Sequence, residues 1–305
     1  MYPYISIGNI SIHAWTLCLN VSYVAAIALG VYYRPKDFAL SRLQLLAAGV
    51  IFAAFGFFGA RVFGILVNYI SHPAAPLRIV MSRAGMAYLG VPLFGFIGLW
   101  IFSAITMTSF LKNADYIAPF LMLSRAIGRI GCLLNGCCFG IRCNMPWAVS
   151  IYSKPGFRHP TQIYAAIAAL AIFITMFIQY KKLRQYKGAT FFCVIALYSF
   201  MRFFNEFLRA DSFSVFGVIK LSHLVMLLIF IVALIGLLNS LKNLEGKRTL
   251  LRSTLFYFLS SLFWVSFMAL GILTSIRATG FVAPSISRFN TPATQVTTQP
   301  PTMQK

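Results

Sequence analysis

Acidic side chains are nearly missing from this chain. Among 305 residues there are five carboxylates, at Asp37, Asp115, Glu206, Asp211 and Glu245. Charge of either sign is also scarce, at 10% of residues, where soluble globular chains carry about 25%. So few charged groups cannot cover a surface in water, which excludes an ordinary soluble globular protein. Charged residues are also missing ahead of the first apolar run, which argues against a cleaved signal peptide. No long polar domain is present to form a solvated basic groove. The formal net charge of +21 therefore points to headgroups of anionic lipid, not to nucleic acid. What the chain does have is apolar surface: 59% of residues are hydrophobic and the mean hydropathy is +0.80. The composition predicts an all-α, polytopic membrane helical bundle.

Apolar runs long enough to span a bilayer occur near 13–33, 43–70, 86–110, 116–136, 161–180, 189–208, 220–241 and 253–276. Each is close to or above the threshold of about 18 residues. Basic residues collect in alternate gaps. Arg34, Lys36 and Arg42 follow the first run, Lys181, Lys182, Arg184 and Lys187 the fifth, and Lys242, Lys247, Arg248 and Arg252 the seventh. An eight-span count places these loops on one side, and the positive-inside rule makes that side cytoplasmic. The N-terminus is then outside, and the eighth span returns the tail outside. Residues 279–305 are rich in Ser, Thr, Pro and Gln with few apolar residues, a composition expected to stay disordered. Gly56, Gly59, Ala60 and Gly64 in the second run, and Gly90, Gly95 and Gly98 in the third, suit close helix packing.

A charge inside lipid costs about 2.5–3.5 kcal/mol on insertion scales, so ionisable residues at depth need a reason. In the sixth run Tyr198, Arg202, Glu206 and Arg209 step by four, four and three, which puts them on one helix face. Arg202 and Glu206 can pair there, either simply orienting the helix or leaving part of the guanidinium fork for a second anion. The fourth run ends with Arg125 and Arg129 on one face, followed by Asn135, Gly136 and Gly140. Such a helix suits a polar cavity whose anionic partner is a ligand. Arg129 could instead pair with Glu206 or cap a carbonyl.

Between the fourth and fifth runs lies Arg158-His159-Pro160-Thr161-Gln162-Ile163-Tyr164. Pro160 suits a helix start, and His159 is there as an acid or base or as a structural donor. Cysteines 132, 137, 138 and 143 contain no C-x-x-C pair, which does not fit ordinary zinc knuckles. Small packing residues, or a disulfide on an oxidising outer face, are the readings left, and neither a metal nor a cofactor is expected. A transporter or channel is disfavoured by the arginine-dominated sites and by the lack of a deep carboxylate or histidine relay or an inverted repeat.

In four ordered blocks the chain resembles the bacterial prolipoprotein diacylglyceryl transferase family. They are Gly59-Ala60-Arg61; Tyr116-Ile117-Ala118-Pro119 with Gly128-Arg129-Ile130-Gly131 and Asn135-Gly136; Arg158 to Tyr164, similar to the family's RHPSQLYE; and Gly188-Ala189 with Tyr198, Arg202, Glu206 and Arg209. The likeness covers roughly residues 5–240. It implies transfer of a diacylglyceryl group from phosphatidylglycerol to the lipobox cysteine thiol of a prolipoprotein signal peptide, in the bacterial cytoplasmic (inner) membrane. It implies catalytic roles for Arg129, Arg202, Glu206 and Tyr198, and His159 is a further catalytic candidate. Arg129, Asn135, Gly136, Gly140, Arg61 and Arg209 would bind substrate. The expected organisation is a transferase-like membrane domain over 1–244, a basic loop and extra helix over 245–278, and the tail from 279.

The sequence also departs from the family. Leu89 stands at the family's third-span histidine, Cys132 and Cys137 at its signature asparagine and glutamate, Ala165 at the glutamate after its QLY, and Trp15 at its first-span tyrosine. Leucine cannot move a proton, so His159 or Glu206 must substitute. The alternative is a phosphatidylglycerol-binding protein of the same fold with another acceptor or none.

Overall fold

The computed structural model describes residues 4–7, 10–71, 81, 90–151, 154–210, 214–216 and 219–242. Seven helices lie among them: α1 (Ala14–Tyr32), α2 (Arg42–Ser71), α3 (Gly90–Ile105), α4 (Phe110–Asn135), α5 (Thr161–Leu183), α6 (Ala189–Leu208) and α7 (Leu221–Lys242). Six are long and apolar enough to cross a membrane, and α3 is a shorter apolar helix. The all-α membrane bundle is therefore as expected. Three antiparallel hairpins sit between or before helices: β1 (Tyr4–Ile7) with β2 (Ile10–His13), β3 (Val149–Ile151) with β4 (Lys154–Arg158), and β5 (Ser214–Phe216) with β6 (Ile219–Lys220). Leu89, the expected eighth span and the tail from 279 lie outside the described residues.

α4 is the hub, packing against α1, α3, α5 and α6, while α2 pairs with α3 and α7 with α6. Burial follows that plan. In the membrane-length windows of α4 and α6, 56% of residues are buried, against 22% for α1 and α7. Large apolar side chains such as Leu43, Phe57, Phe58, Ile178 and Leu228 face outward, as expected where the surrounding solvent is lipid. The small residues of the second and third runs do pack the α2–α3 contact. A Cβ on Gly90 would lie 2.1 Å from the Gly59 carbonyl oxygen, and one on Gly95 would lie 2.7 Å from the Phe52 ring.

One boundary differs from the sequence reading. The run 86–110 is not one helix, because α3 stops at Ile105 and α4 begins at Phe110. Met107 turns the chain with φ 51°. Asn113 Nδ2 closes the corner, donating to Ser103 Oγ at 2.9 Å and Thr108 Oγ1 at 2.8 Å. Hydropathy continues through the turn, so the break was invisible to an apolar-run count. The fourth helix is correspondingly longer than the expected 116–136.

The polar contacts define two ends of the bundle. At one end, Arg184 beyond α5 bridges Asp37 beyond α1 at 2.8 Å, so two of the basic loops lie together. Here too Asp115 near the start of α4 accepts the backbone N–H groups of Gly188 at 2.6 Å and Phe191 at 2.8 Å. Gly188, at the N-cap of α6, has no side chain to do this, and the buried carboxylate of a neighbouring helix fills the role. The C-terminal ends of α4 and α6 and the start of α5 meet at the opposite end.

Candidate functional site

The α6 face forms as its spacing predicts. Arg202 Nη2 bridges Glu206 Oε2 at 2.8 Å, and Arg209 Nη1 reaches the same oxygen at 3.4 Å. Glu206 is 1% exposed, so this carboxylate is held inside the bundle between two guanidiniums. Arg209 itself is extended backbone at the C-cap of α6, one step beyond the helix. Tyr198, one turn before Arg202, carries Arg125 of α4 over its ring at 4.6 Å. Arg125 thus has an aromatic partner on the facing helix, where the sequence offered none.

Arg129 lies one turn beyond Arg125 on α4 and is buried. It is close enough to Arg202 for the two cations to act on each other, as Arg209 also does. Arg129 of α4 is therefore within electrostatic reach of Arg202 on α6, and Arg202 in turn pairs with Glu206. An arrangement so rich in cations attracts a further anion, because the guanidinium fork matches phosphate as it does carboxylate.

Below this cluster three loop segments are stitched edge to edge. Ile141 N–H donates to the Leu208 carbonyl at 2.8 Å, Ala210 N–H to Phe139 at 3.0 Å, and Gly140 N–H to His159 at 3.1 Å. Gly140 bridges Arg209 in antiparallel fashion, and a Cβ there would lie 2.6 Å from the His159 carbonyl oxygen. Only glycine lets these backbones meet. Asn135 is the last residue of α4, and Gly136 closes the helix with φ 71°. Arg158 Nη1 donates to the Gly140 carbonyl at 3.3 Å and its guanidinium lies over the Phe139 ring at 5.2 Å.

The first turn of α5 fastens the same loop. Thr161 Oγ1 donates to the Cys138 carbonyl at 2.6 Å, and Gln162 Nε2 to the Cys137 carbonyl at 2.6 Å. Asn205 Nδ2 of α6 donates to the Thr161 carbonyl at 3.1 Å. His159 is 1% exposed, and burial pulls its imidazole below the usual value of 6.5, keeping it neutral. Its Nδ1 lies 3.3 Å from the Tyr164 hydroxyl, which accepts from Trp147 Nε1 at 2.7 Å. Its Nε2 has no hydrogen-bond partner among the described residues.

Arg61 is presented by a different helix. It lies exposed on α2, whose main partners are α1 and α3, and Nη2 donates to the Met81 carbonyl at 2.8 Å. Two residues at the site were missed from the sequence. Lys220 is buried, and its Nζ donates to the carbonyls of Glu206 and Arg209, a cation at a helix C-terminus where the dipole favours it. Its backbone N–H donates to His223 Nδ1 at 3.0 Å, and the His223 ring packs against Phe203 and Phe207. The legible signal for Lys220 was a lysine at the end away from the basic loops. The three cysteines 132, 137 and 138 also come together here, which their spacing did not suggest.

Fold and site together define a polytopic membrane protein whose charged side chains converge inside one end of the bundle. Comparison with known proteins makes the class specific. A family model described as prolipoprotein diacylglyceryl transferase matches residues 3–239, and the chain belongs to that family. Among its relatives, a protein of Clostridioides difficile is 31% identical over 195 residues, which is 63% of this chain and 77% of that one. One from Trichormus variabilis is 30% identical over 252 residues, 76% of this chain and 87% of the relative. One from Nocardia farcinica is 26% identical over 266 residues, 80% of this chain but 54% of the longer relative. All three are named phosphatidylglycerol–prolipoprotein diacylglyceryl transferase.

Proposed function

We propose that the protein transfers a diacylglyceryl group from phosphatidylglycerol to the lipobox cysteine thiol of a prolipoprotein. The observation that carries this reading is that Arg129 and Arg202, on facing helices, are within electrostatic reach of each other, with Arg202 paired to a buried carboxylate. The thiolate sulfur attacks the glyceryl carbon that bears the phosphate oxygen. A carbon–sulfur bond forms, the carbon–oxygen bond breaks, and glycerol phosphate leaves with the electron pair. Arg129 and Arg202 hold the phosphodiester and stabilise the charge on the departing oxygen. Glu206 fixes the Arg202 fork, Tyr198 donates to the headgroup, and Arg209 with the Gly136 and Gly140 backbone and Asn135 shapes the pocket. Arg61 meets the anionic headgroup from its exposed position on α2.

A thiol attacks only as thiolate, and Leu89 cannot take the proton. Glu206 is committed to two guanidiniums, so His159, buried and neutral, is the acceptor. The end of the bundle carrying the site is opposite the basic loops after α1 and α5. Positive-inside orientation makes that end the outer one, with the N-terminus outside and the protein in the bacterial cytoplasmic membrane. The prolipoprotein presents its lipobox cysteine there.

The test is direct. Membranes containing the protein, given a lipobox peptide and phosphatidylglycerol, should yield glycerol phosphate and a diacylglyceryl thioether. Arg129→Ala should lower the rate at least 100-fold, in the range reported when one preorganised donor is removed. Retained phosphatidylglycerol binding with no thioether would overturn the transferase reading in favour of a lipid-binding protein, or one with another acceptor.

A further inference from the structure

The end of α4 turns so as to gather three thiols. Gly136 N–H donates to the Leu133 carbonyl at 3.1 Å and Cys137 N–H to the Cys132 carbonyl at 3.2 Å. These are the paired 5→2 and 6→1 bonds of a Schellman ending, which stacks residue C″ over residue C3. Ordinarily that contact is apolar. Here both positions are cysteine. The next residue, Cys138, takes a left-handed φ of 59°, a conformation that non-glycine residues adopt at a cost and that recurs at functional sites. The backbone of Cys137 and Cys138 is held in this shape by Gln162 and Thr161 from α5. As a result the three Sγ atoms lie within 4.8 Å of one another. All three side chains are half-buried, and no disulfide joins them.

Three sulfurs bound to one ion at about 2.3 Å stand roughly 3.8–4.0 Å apart, whether trigonal or tetrahedral. The observed cluster, with its sulfurs within 4.8 Å of one another, is close to that spacing. Thiolate ligands select soft ions such as zinc or cuprous copper over magnesium or calcium. Arg129 and Arg209 lie near enough to act on the Cys138 charge, which offsets the negative charge that three thiolates carry. Cys143 lies outside the group, so three ligands converge among the described residues. Three protein ligands with a vacant fourth position is the pattern of a reactive zinc site, where a structural site is closed by four.

We propose that Cys132, Cys137 and Cys138 bind one soft cation of the zinc class, and that its fourth position takes an external thiol. Resting on the transferase reading, that thiol is the acceptor cysteine. A thiol that coordinates such a cation is deprotonated outright. The sulfur keeps its electron pair in the new metal–sulfur bond and the proton passes to His159 or to water. The site would thereby supply, beside the arginines, the activation that leucine at position 89 cannot.

The experiment uses the full chain in detergent, reduced with a phosphine and freed of metal, and titrated with Cd²⁺ and with Co²⁺. The expected result is one equivalent bound, with a thiolate-to-metal charge-transfer band of three-sulfur intensity. A lipobox peptide should raise that band towards four-sulfur intensity, and a serine-substituted peptide should not. Cys132→Ser, Cys137→Ser and Cys138→Ser should each weaken binding at least 10-fold, while Cys193→Ala, remote on α6, leaves it unchanged. Thermal unfolding of each variant separates loss of ligand from loss of fold. No saturable band in the reduced protein, or an unchanged band in variants that remain folded, would overturn the proposal. So would a disulfide among these cysteines in protein taken directly from cells. Metal binding without any thioether product would sink the transferase reading and leave the cation site. Full transfer by metal-free protein would do the reverse for the thiol-activating role.

Discussion

Glu206 shows what one residue does when it is buried among cations. Its carboxylate meets both Arg202 and Arg209, so removing the charge leaves two guanidiniums facing each other at a site with little water. Glu206→Gln is expected to destabilise the fold by roughly 3 kcal/mol, the usual cost of breaking a buried pair by deleting one partner. Thermal unfolding in detergent checks this. Glu206→Asp keeps the charge on a shorter stem and should recover part of the loss. Gly140 is the second case. A methyl group there collides with backbone, not with a flexible side-chain tip, so the segments carrying Arg209 and His159 must separate. Gly140→Ala should cost about 1–3 kcal/mol by overpacking and lower transfer more than it lowers binding of phosphatidylglycerol vesicles. A flotation assay beside the thioether assay would detect the difference. Equal losses in both would show that the glycine serves only general folding.

Among the elements, α4 and α6 carry the polar groups and the burial. Their alignment depends on Asp115, which holds the N-terminus of α6 from α4 through two backbone N–H groups. An asparagine has one acceptor oxygen and presents an NH₂ group to the second N–H, so Asp115→Asn should leave a donor unsatisfied. The expected cost is about 1–3 kcal/mol, read as a lower unfolding midpoint. Because Arg129 and Arg202 sit near the far ends of these helices, a shift in helix register would also weaken transfer. An unchanged midpoint would show that Asp115 does not anchor α6. The corner between α3 and α4 belongs to this scale as well. It rests on Asn113 reaching back to Ser103 and Thr108, and an apolar-run count passes over it because Thr106 to Ser109 carry no charge.

For the whole molecule, the two ends of the bundle differ in charge chemistry. One has exposed basic loops tied by Arg184 and Asp37, and the other has the buried cation cluster. A protease site inserted after Gln185 should resist protease added to spheroplasts, whereas one inserted after Asn144 should be cut. The reverse pattern would turn the site towards the cytoplasm and remove its access to an exported lipobox peptide. The surrounding bilayer also explains the outward-facing Leu43, Phe57 and Ile178, which would be aggregation-prone in water.

The sequence by itself determined the membrane bundle, the positions of most helices, the Tyr198–Arg202–Glu206–Arg209 face and the blocks that place the chain in its family. The bundle and the helix face depend on hydropathy and on the 3.6-residue period, and the family blocks on residue identity in order, all of which are legible along the chain. The tertiary structure alone decided that Arg125 rests on Tyr198, that Lys220 caps the end of α6 and that Asp115 caps its beginning. These contacts join residues many positions apart, and their pairing is set by how helices pack. The three thiols are an intermediate case. The helix ending that gathers them is local, but the left-handed turn at Cys138 is held by Thr161 and Gln162 from another helix, and no spacing rule within the segment reveals it.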